Sequence, residues 1–311
     1  MKANLKRIAT STVIALGPNN PMVRYLIARK CAQFGVRLTQ QSSYLALTKG
    51  HREMRLATRH FVYAPDMSER FDIYFFPLVP AEINGQLVLD YSRPGILQTY
   101  VSTGLQFELA SFPEEDEAIE SYFHWYRPEA GDTVFDVGAH CGVSTYHFSK
   151  LVGPTGKVVA FEPDPVNFSL LLRNIDRHNL TNVLPLPIAI ADSNGHAAFN
   201  CEQSIGSGLM RHSSRASVGK VTMVKTVTLE DACQRWGMPQ FCKIDVEGAE
   251  MEIIAASRTF LRSASCQFAL DTNHIVKGEM TDRRVETLFQ ECGYKATSSD
   301  SGMKTTWACH A

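Results

Sequence analysis

The stretch DVGAHCGVS, residues 136–144, decides how the rest of the chain is read. It opens on an acid, sets Gly138 and Gly142 four positions apart, and ends on small polar residues. The apolar run TVFDV leads into it and STYHFSKLV leads away. Strand, glycine turn, helix is the arrangement of a ligand-binding α/β unit, in which the ligand meets the turn at the carboxyl end of the strand. The open question is which ligand.

Outward from that turn, strand-like and helix-like segments alternate. KVVAFEP reads as a second strand, NFSLLLRNIDRHN as a helix, VLPLPIAIAD as a third strand and FCKIDV as a fourth. EGAEMEIIAAS then reads as a helix beginning near Glu247, CQFALDT as a fifth strand and RRVETLFQECG as a helix, with YKATSS and TTWACH closing the chain as a strand pair. Such alternation implies right-handed βαβ units and a sheet that gathers its strand ends, and the ligand, along one edge. The expected fold is α/β, a doubly wound Rossmann-like sheet, parallel with an antiparallel last strand. The expected domains are an N-terminal appendage over 1–112 and a cofactor-binding domain over 113–311, which carries a flap at about 193–226.

The appendage reads as helical in PMVRYLIARKCAQFGV and SSYLALTKGHREMRLATRHF, then as a small β meander through FDIYFFPLVP, QLVLDYS and QTYVSTGLQFEL. The flap, rich in Ser, Gly and Arg, is too long for an ordinary connection, and its ends could pair as strands. Within it Arg211, His212 and Arg215 could meet an acidic acceptor, or be solvated loop.

Composition sets limits. The chain has 311 residues and a formal net charge of −1, which gives no electrostatic case for nucleic acid or an acidic membrane. Eight cysteines lie without a CxxC pair, which argues against a zinc site or disulfide scaffold and fits a reducing compartment. The N-terminal stretch has basic residues before a short apolar patch, without a convincing cleavage site, and no segment approaches the roughly 20 apolar residues of a membrane span. A cytoplasmic location follows as the expectation. The oligomeric state is not legible.

The ligand can be narrowed by what is missing. A phosphate-cradling GxxxxGK[ST] loop is absent. The dinucleotide GxGxxG is broken by His140, which stands where a glycine would let the backbone reach a pyrophosphate. Asp136, at the strand end, would repel phosphates; it could instead hold a cation or accept hydrogen bonds. S-adenosylmethionine suits these residues: it has no phosphate, its ammonium wants a carboxylate, and its ribose wants an acid. Glu162, closing KVVAFEP, falls where the second strand end meets a ribose. A helix-capping role is the plainer alternative for Glu162, and Asp164 is a substitute for it. Ala191 and Asp192 end the third strand where an adenine amino group could be read, or where an Asp simply makes a turn. The cofactor set is thus Asp136, Gly138, His140, Gly142, Glu162 and Asp192.

These residues resemble a known family. DVGAHCGVST, VVAFEPDPVNFSLLLRNI, IAIAD, VTLED and KIDVEGAE, recurring in that order over about 120–275, are similar to the FkbM-type methyltransferases. That family typically carries D-V-G-A-N-x-G, F-E-P and K-I-D-V-E-G-[AY]-E. The resemblance implies a seven-stranded Rossmann-like core and O-methylation of hydroxyls on sugars, polyketides or other natural products. His140 stands where the family has asparagine, and FALDTNH departs from the usual strand ending in glutamate before histidine.

Transfer to a hydroxyl needs an aligned oxygen and a group to take its proton, expected at the ends of the fourth and fifth strands. Candidates are Lys243 and Asp245, on one strand face, and His274. Asp245 could equally cap the next helix, His274 could be structural, and Glu250 reads as packed or paired. Asp245, Asp271 and Asn273 resemble the divalent site of catechol-type O-methyltransferases, so Mg is an alternative reading and no metal the first one. Two other classes stay open: an NAD(P)-dependent oxidoreductase, disfavoured by the broken GxGxxG, and a non-catalytic cofactor-binding or interaction module. The expected partner is a small-molecule or carbohydrate acceptor. O- against N-methylation is left open by the residues themselves.

Overall fold

The computed structural model describes residues 16–113, 116–204, 206–209, 219–276, 279–299 and 304–310. The chain divides into two compact units. One comprises Met1–Pro113 with Glu202–Ile205 and Ser214–Lys220; the other comprises Glu114–Cys201 with Gly206–Ser213 and Val221–Ala311.

The first unit opens with helix α1 (Pro21–Ala32), capped by the Asn20 side chain on the Met22 and Val23 amides. Strands β1 (Arg37–Gln40), β2 (Tyr44–Lys49) and β3 (Arg52–Ala57) follow. Next come the short helices α2 (Ala64–Glu69) and α3 (Phe71–Phe75), then β4 (Ala81–Ile83) and β5 (Gln86–Tyr91). These strands form one sheet in the order β1-β2-β3-β5-β4. Strands β6 (Ile96–Thr99) and β7 (Gln106–Leu109) make a separate antiparallel pair.

Two readings of this unit are corrected. YLALTKGHREMRLA is the β2–β3 hairpin and not a helix: Gly50, at φ 61°, supplies the turn that pairs Lys49 with Arg52. FDIYFF is a helix and not a strand, because Phe71 and Phe75, one turn apart, both go into the core while Pro77 stops propagation.

In the second unit a 3₁₀ turn (Asp116–Tyr122) leads to β8 (Thr133–Val137), α4 (Val143–Val152), β9 (Lys157–Phe161), α5 (Pro165–Arg177) and β10 (Val183–Leu186). After β10 the chain leaves the main sheet. Strands β11 (Ile188–Ile190), β12 (Gly195–Cys201), β13 (Gly208–Leu209) and β14 (Lys220–Val227) build a smaller one, ordered β11-β14-β12-β13. The run expected as a single third strand is therefore two strands in two sheets, parted at Pro187, which has no N–H to continue a ladder. Helix α6 (Leu229–Trp236), β15 (Phe241–Ile244), α7 (Glu250–Ala256), α8 (Arg258–Leu261) and β16 (Gln267–Asp271) follow. The pair β17 (Ile275–Val276) and β18 (Glu279–Met280), helix α9 (Asp282–Glu291), β19 (Tyr294–Ser298) and β20 (Thr305–His310) complete the chain.

The main sheet runs β10-β9-β8-β15-β16-β20-β19. The five strands from β10 to β16 are parallel, and β20 lies antiparallel between β16 and β19. This is a Rossmann-like α/β sheet. Phe135, Val137, Val159, Phe161, Ile244, Phe268 and Leu270 fill its core. Strand order reverses between β8 and β15, and the crevice outside their carboxyl ends is where such sheets take ligands. Among the described residues no helix is long and apolar enough to cross a membrane, and all eight cysteines are free. The flap residues Arg211, His212 and Arg215 lie outside the described residues.

Candidate active site

The glycine turn is built first by backbone. Gly138 and Ala139 both donate to the Phe161 carbonyl at 3.0 Å, while Asp245 donates to the Val137 carbonyl at 2.9 Å, so the turn is wedged between β9 and β15. Gly138 has φ +80°, and a Cβ there would lie 1.8 Å from the Asp245 carbonyl oxygen. Only glycine fits. Gly142, at φ +90°, starts α4 facing Leu171. His140 also has positive φ, 48°, a conformation that Asn and His enter more readily than most residues. His140 is thus one of the residue types that this turn position accepts more readily.

Glu162 closes β9, is 4% exposed, and has both oxygens fixed by backbone. Oε2 accepts the His140 amide at 2.8 Å and Oε1 accepts the Asp164 amide at 2.8 Å. Burial pushes its carboxyl up to about 7, and the Asp164 charge adds to that; His140 and the two amides pull the other way. The helix cap is Asp164 instead, accepting from the Val166 and Asn167 amides. Its second oxygen accepts the Ser207 hydroxyl at 2.7 Å. That contact brings a piece of the flap to the strand ends, where a Cβ on Gly208 would lie 3.1 Å from the Glu247 Cβ. Sequence reasoning missed both contacts, since nothing in the spacing marks Ser207.

Asp136 is fully buried and turned inward. Oδ2 accepts the Ser144 and Thr145 hydroxyls at 2.8 and 2.6 Å, and Oδ1 lies 3.3 Å from Lys243 Nζ. Lys243 in turn donates to the Gly138 carbonyl at 2.7 Å and lies 3.9 Å from Asp245 Oδ2. Lys243 and Asp136 are register partners on neighbouring strands, so a lysine of the chain itself stands beside Asp136. Asp192 follows β11, half-buried, with the Ser193 hydroxyl on its carboxylate at 3.4 Å.

Asp245 caps nothing: α7 starts at Glu250, three residues later than expected, behind Ala249 and without a side-chain cap. Its carboxyl rises to about 8, through burial first and then through Asp271 and Glu247, against the lowering pull of Lys243 and His274. His274 sits between two carboxylates, with Nδ1 3.1 Å from Glu250 Oε1 and Nε2 3.5 Å from Glu247 Oε1. Burial alone would lower its pKa, but Glu250 and Glu247 together raise it to about 12. Glu247 takes an unusual backbone, φ +57°. Asp271 bonds Asn273 twice, through its amide at 3.0 Å and its side chain at 3.1 Å. Among the described residues, ligand atoms of Asp245, Glu247 and His274 lie mutually within 4.8 Å, beside the expected set of Asp245, Asp271 and Asn273.

A Rossmann-like sheet with a glycine turn and an acid at the second strand end defines the class. Residues 136–296 match the model of the methyltransferase FkbM domain. The chain belongs to that family. It is 28% identical over 139 residues to the hexuronic acid methyltransferase AglP of Haloferax volcanii, a match covering 44% of this chain and 54% of that protein. The chain thus spans about half the length of the curated relative it matches. Solved structures with similarity include methyltransferase FkbM from Methylobacillus flagellatus, at 14% identity and TM-score 0.45, covering 62% of this chain and 50% of that one. Another is a SAM-dependent O-methyltransferase from Thermotoga maritima, at 12% identity and TM-score 0.37, covering 70% and 78% respectively.

Proposed function

We propose that the chain is an S-adenosylmethionine-dependent methyltransferase acting on a hydroxyl of a sugar, glycan or natural product. The observation that carries the reading is Glu162. It is a buried carboxylate whose two oxygens are already oriented by backbone amides, beside a turn where even a methyl group would not fit. Each oxygen keeps acceptor capacity for a ribose hydroxyl. Membership of the FkbM family supports methyl transfer, and the Haloferax relative supports a sugar acceptor.

When bound, S-adenosylmethionine supplies a methyl group on a cationic sulfur that departs as a neutral thioether. The chain's residues do the rest. Glu162 orients the ribose, Asp192 with Ala191 reads the adenine edge, and Gly138 with Gly142 lets the methionine end lie close to backbone, with His140 shaping that turn. Lys243 ties Asp136 to the Gly138 carbonyl and so holds the floor rigid. The acceptor's proton passes to the ionised form of Asp245, which burial makes a stronger base than an ordinary carboxylate. A histidine that keeps its proton to about 12 is a poor base there, so His274 meets the acceptor as a cationic hydrogen-bond donor.

Calorimetric titration with S-adenosylmethionine, S-adenosylhomocysteine and NADH on wild type and Glu162→Ala tests the reading. The two sulfur ligands should bind wild type and lose about 1.5–3 kcal/mol in the variant, the worth of a hydrogen bond to a charged group. Tritiated methyl transfer to neutral glycosides and hexuronates then identifies the acceptor. Binding of NADH with none of the sulfur ligands would overturn the assignment.

A further inference from the structure

Glu250 is the fully buried carboxylate at these strand ends for which the chemistry above has no use. A carboxylate taken wholly out of water is costly unless its oxygens are satisfied. Here Oε1 is crowded with partners, while buried Oε2 has no hydrogen-bond partner among the described residues. Oε1 accepts the Val246 amide at 3.2 Å and the Gly248 amide at 3.2 Å, and it lies 3.1 Å from Nδ1 of His274. Two separate segments therefore meet on one oxygen: the turn that carries Glu247, and the loop after β16 that carries His274.

Tying down the turn needs only the two amides. The contact with His274 is additional, and it reaches a side chain that belongs to no helix or strand. The backbone of that loop is held through the Thr281 amide on the His274 carbonyl at 3.0 Å, which fixes the chain but leaves the ring free to turn about its side-chain bonds. The ring's orientation depends on Glu250 at Nδ1 and Glu247 at Nε2. Of these, Glu250 is fully buried and Glu247 is 32% exposed, so Glu250 is the fixed point and Glu247 the side that faces outward.

We propose that Glu250 is a positioning residue, which holds the His274 ring through an ion pair at Nδ1 and the Val246–Gly248 turn through hydrogen bonds from the Val246 and Gly248 amides. Nε2 and the Glu247 carboxylate are then presented together to the acceptor hydroxyl. The inference rests on the methyltransferase reading for what is being positioned. An ångström of misplacement at an aligned oxygen is worth about a hundredfold in rate, so a buried clamp on a loop-borne ring has a large lever.

The test uses the full chain with Glu250→Gln, Glu250→Ala, Glu250→Asp and His274→Gln. An amide oxygen can still accept from both backbone amides and keep a polar contact with Nδ1, whereas Ala removes the two hydrogen bonds and the ion pair, and Asp is one methylene short of the ring. Nitrogen-15 correlation spectra should show a slowly exchanging His274 Nδ1–H signal in wild type, assigned by its loss in His274→Gln. The signal should persist in Glu250→Gln and vanish in Glu250→Ala and Glu250→Asp. In parallel, kcat should fall about a hundredfold in Ala and Asp and by less than about tenfold in Gln, with the S-adenosylmethionine Kd within about threefold throughout.

A His274 signal that survives in Glu250→Asp or Glu250→Ala overturns the proposal. So does a Gln variant as impaired in kcat as the Ala one. Should Ala not fold, the Asp and Gln variants decide alone. If wild type neither binds the cofactor nor transfers methyl groups, the function is wrong, while the spectra still report whether Glu250 holds the ring.

Discussion

Glu162 shows how a single residue's burial sets its ionisation. Its carboxyl is raised from an ordinary value of 4.5 to about 7, chiefly because it is buried. For folding, a raised carboxyl favours the protonated native state. Its stabilising contribution is complete below about 4.5 and is lost as pH rises through about 7. For a ribose the sign reverses, because the hydroxyls donate to the ionised form. Cofactor affinity should therefore fall about tenfold between pH 8 and pH 6 in wild type and stay nearly flat in Glu162→Gln, measured by calorimetry across that range. The residue's place at the end of FEP was legible in the sequence. That Asp164, and not Glu162, caps the following helix needed the hydrogen bonds.

Between elements, the decisive contact is the glycine turn after β8 against the end of β15. Gly138→Ala would set a methyl group 1.8 Å from the Asp245 carbonyl, at a φ that side chains avoid, and neither backbone can yield without breaking the backbone hydrogen bonds on both sides. A loss of about 2–4 kcal/mol in urea unfolding is expected, with cofactor binding lost as well. The DVGAHCG spacing pointed to a tight turn but not to its partner, which is more than a hundred positions away in the chain. The same limit explains the misread segments. YLALTK and REMRLA have apolar positions that suit either period, and only pairing across Gly50 makes them strands. PLPIAIAD has strand composition throughout, yet Pro187 divides it between two sheets.

At the scale of the molecule, charges cancel in pairs: Lys243 with Asp136 and His274 with Glu250. Asp245, Glu247 and Asp271 remain at the strand ends. Protonated His274 already places a cation between Glu247 and Glu250, so a divalent ion has a competitor there. Treatment with EDTA should leave the rate of methyl transfer within about twofold of the untreated enzyme, well under the several kcal/mol a metal ion contributes as a Lewis acid. A large loss restored by Mg²⁺ would return Asp245 to the metal reading.

The sequence alone determined the α/β alternation, the glycine turn, the acid at the second strand end and the family, because each depends on residues close together and on the period of apolar side chains. Tertiary structure decided what those residues touch. It turned Asp136 inward to Lys243, drew Ser207 and Gly208 of the flap to the strand ends, and set His274 between Glu250 and Glu247. Burial and charge pairing act between segments distant in the chain, so a carboxylate's role as cap, clamp or ligand is fixed only when the sheet brings its partners together.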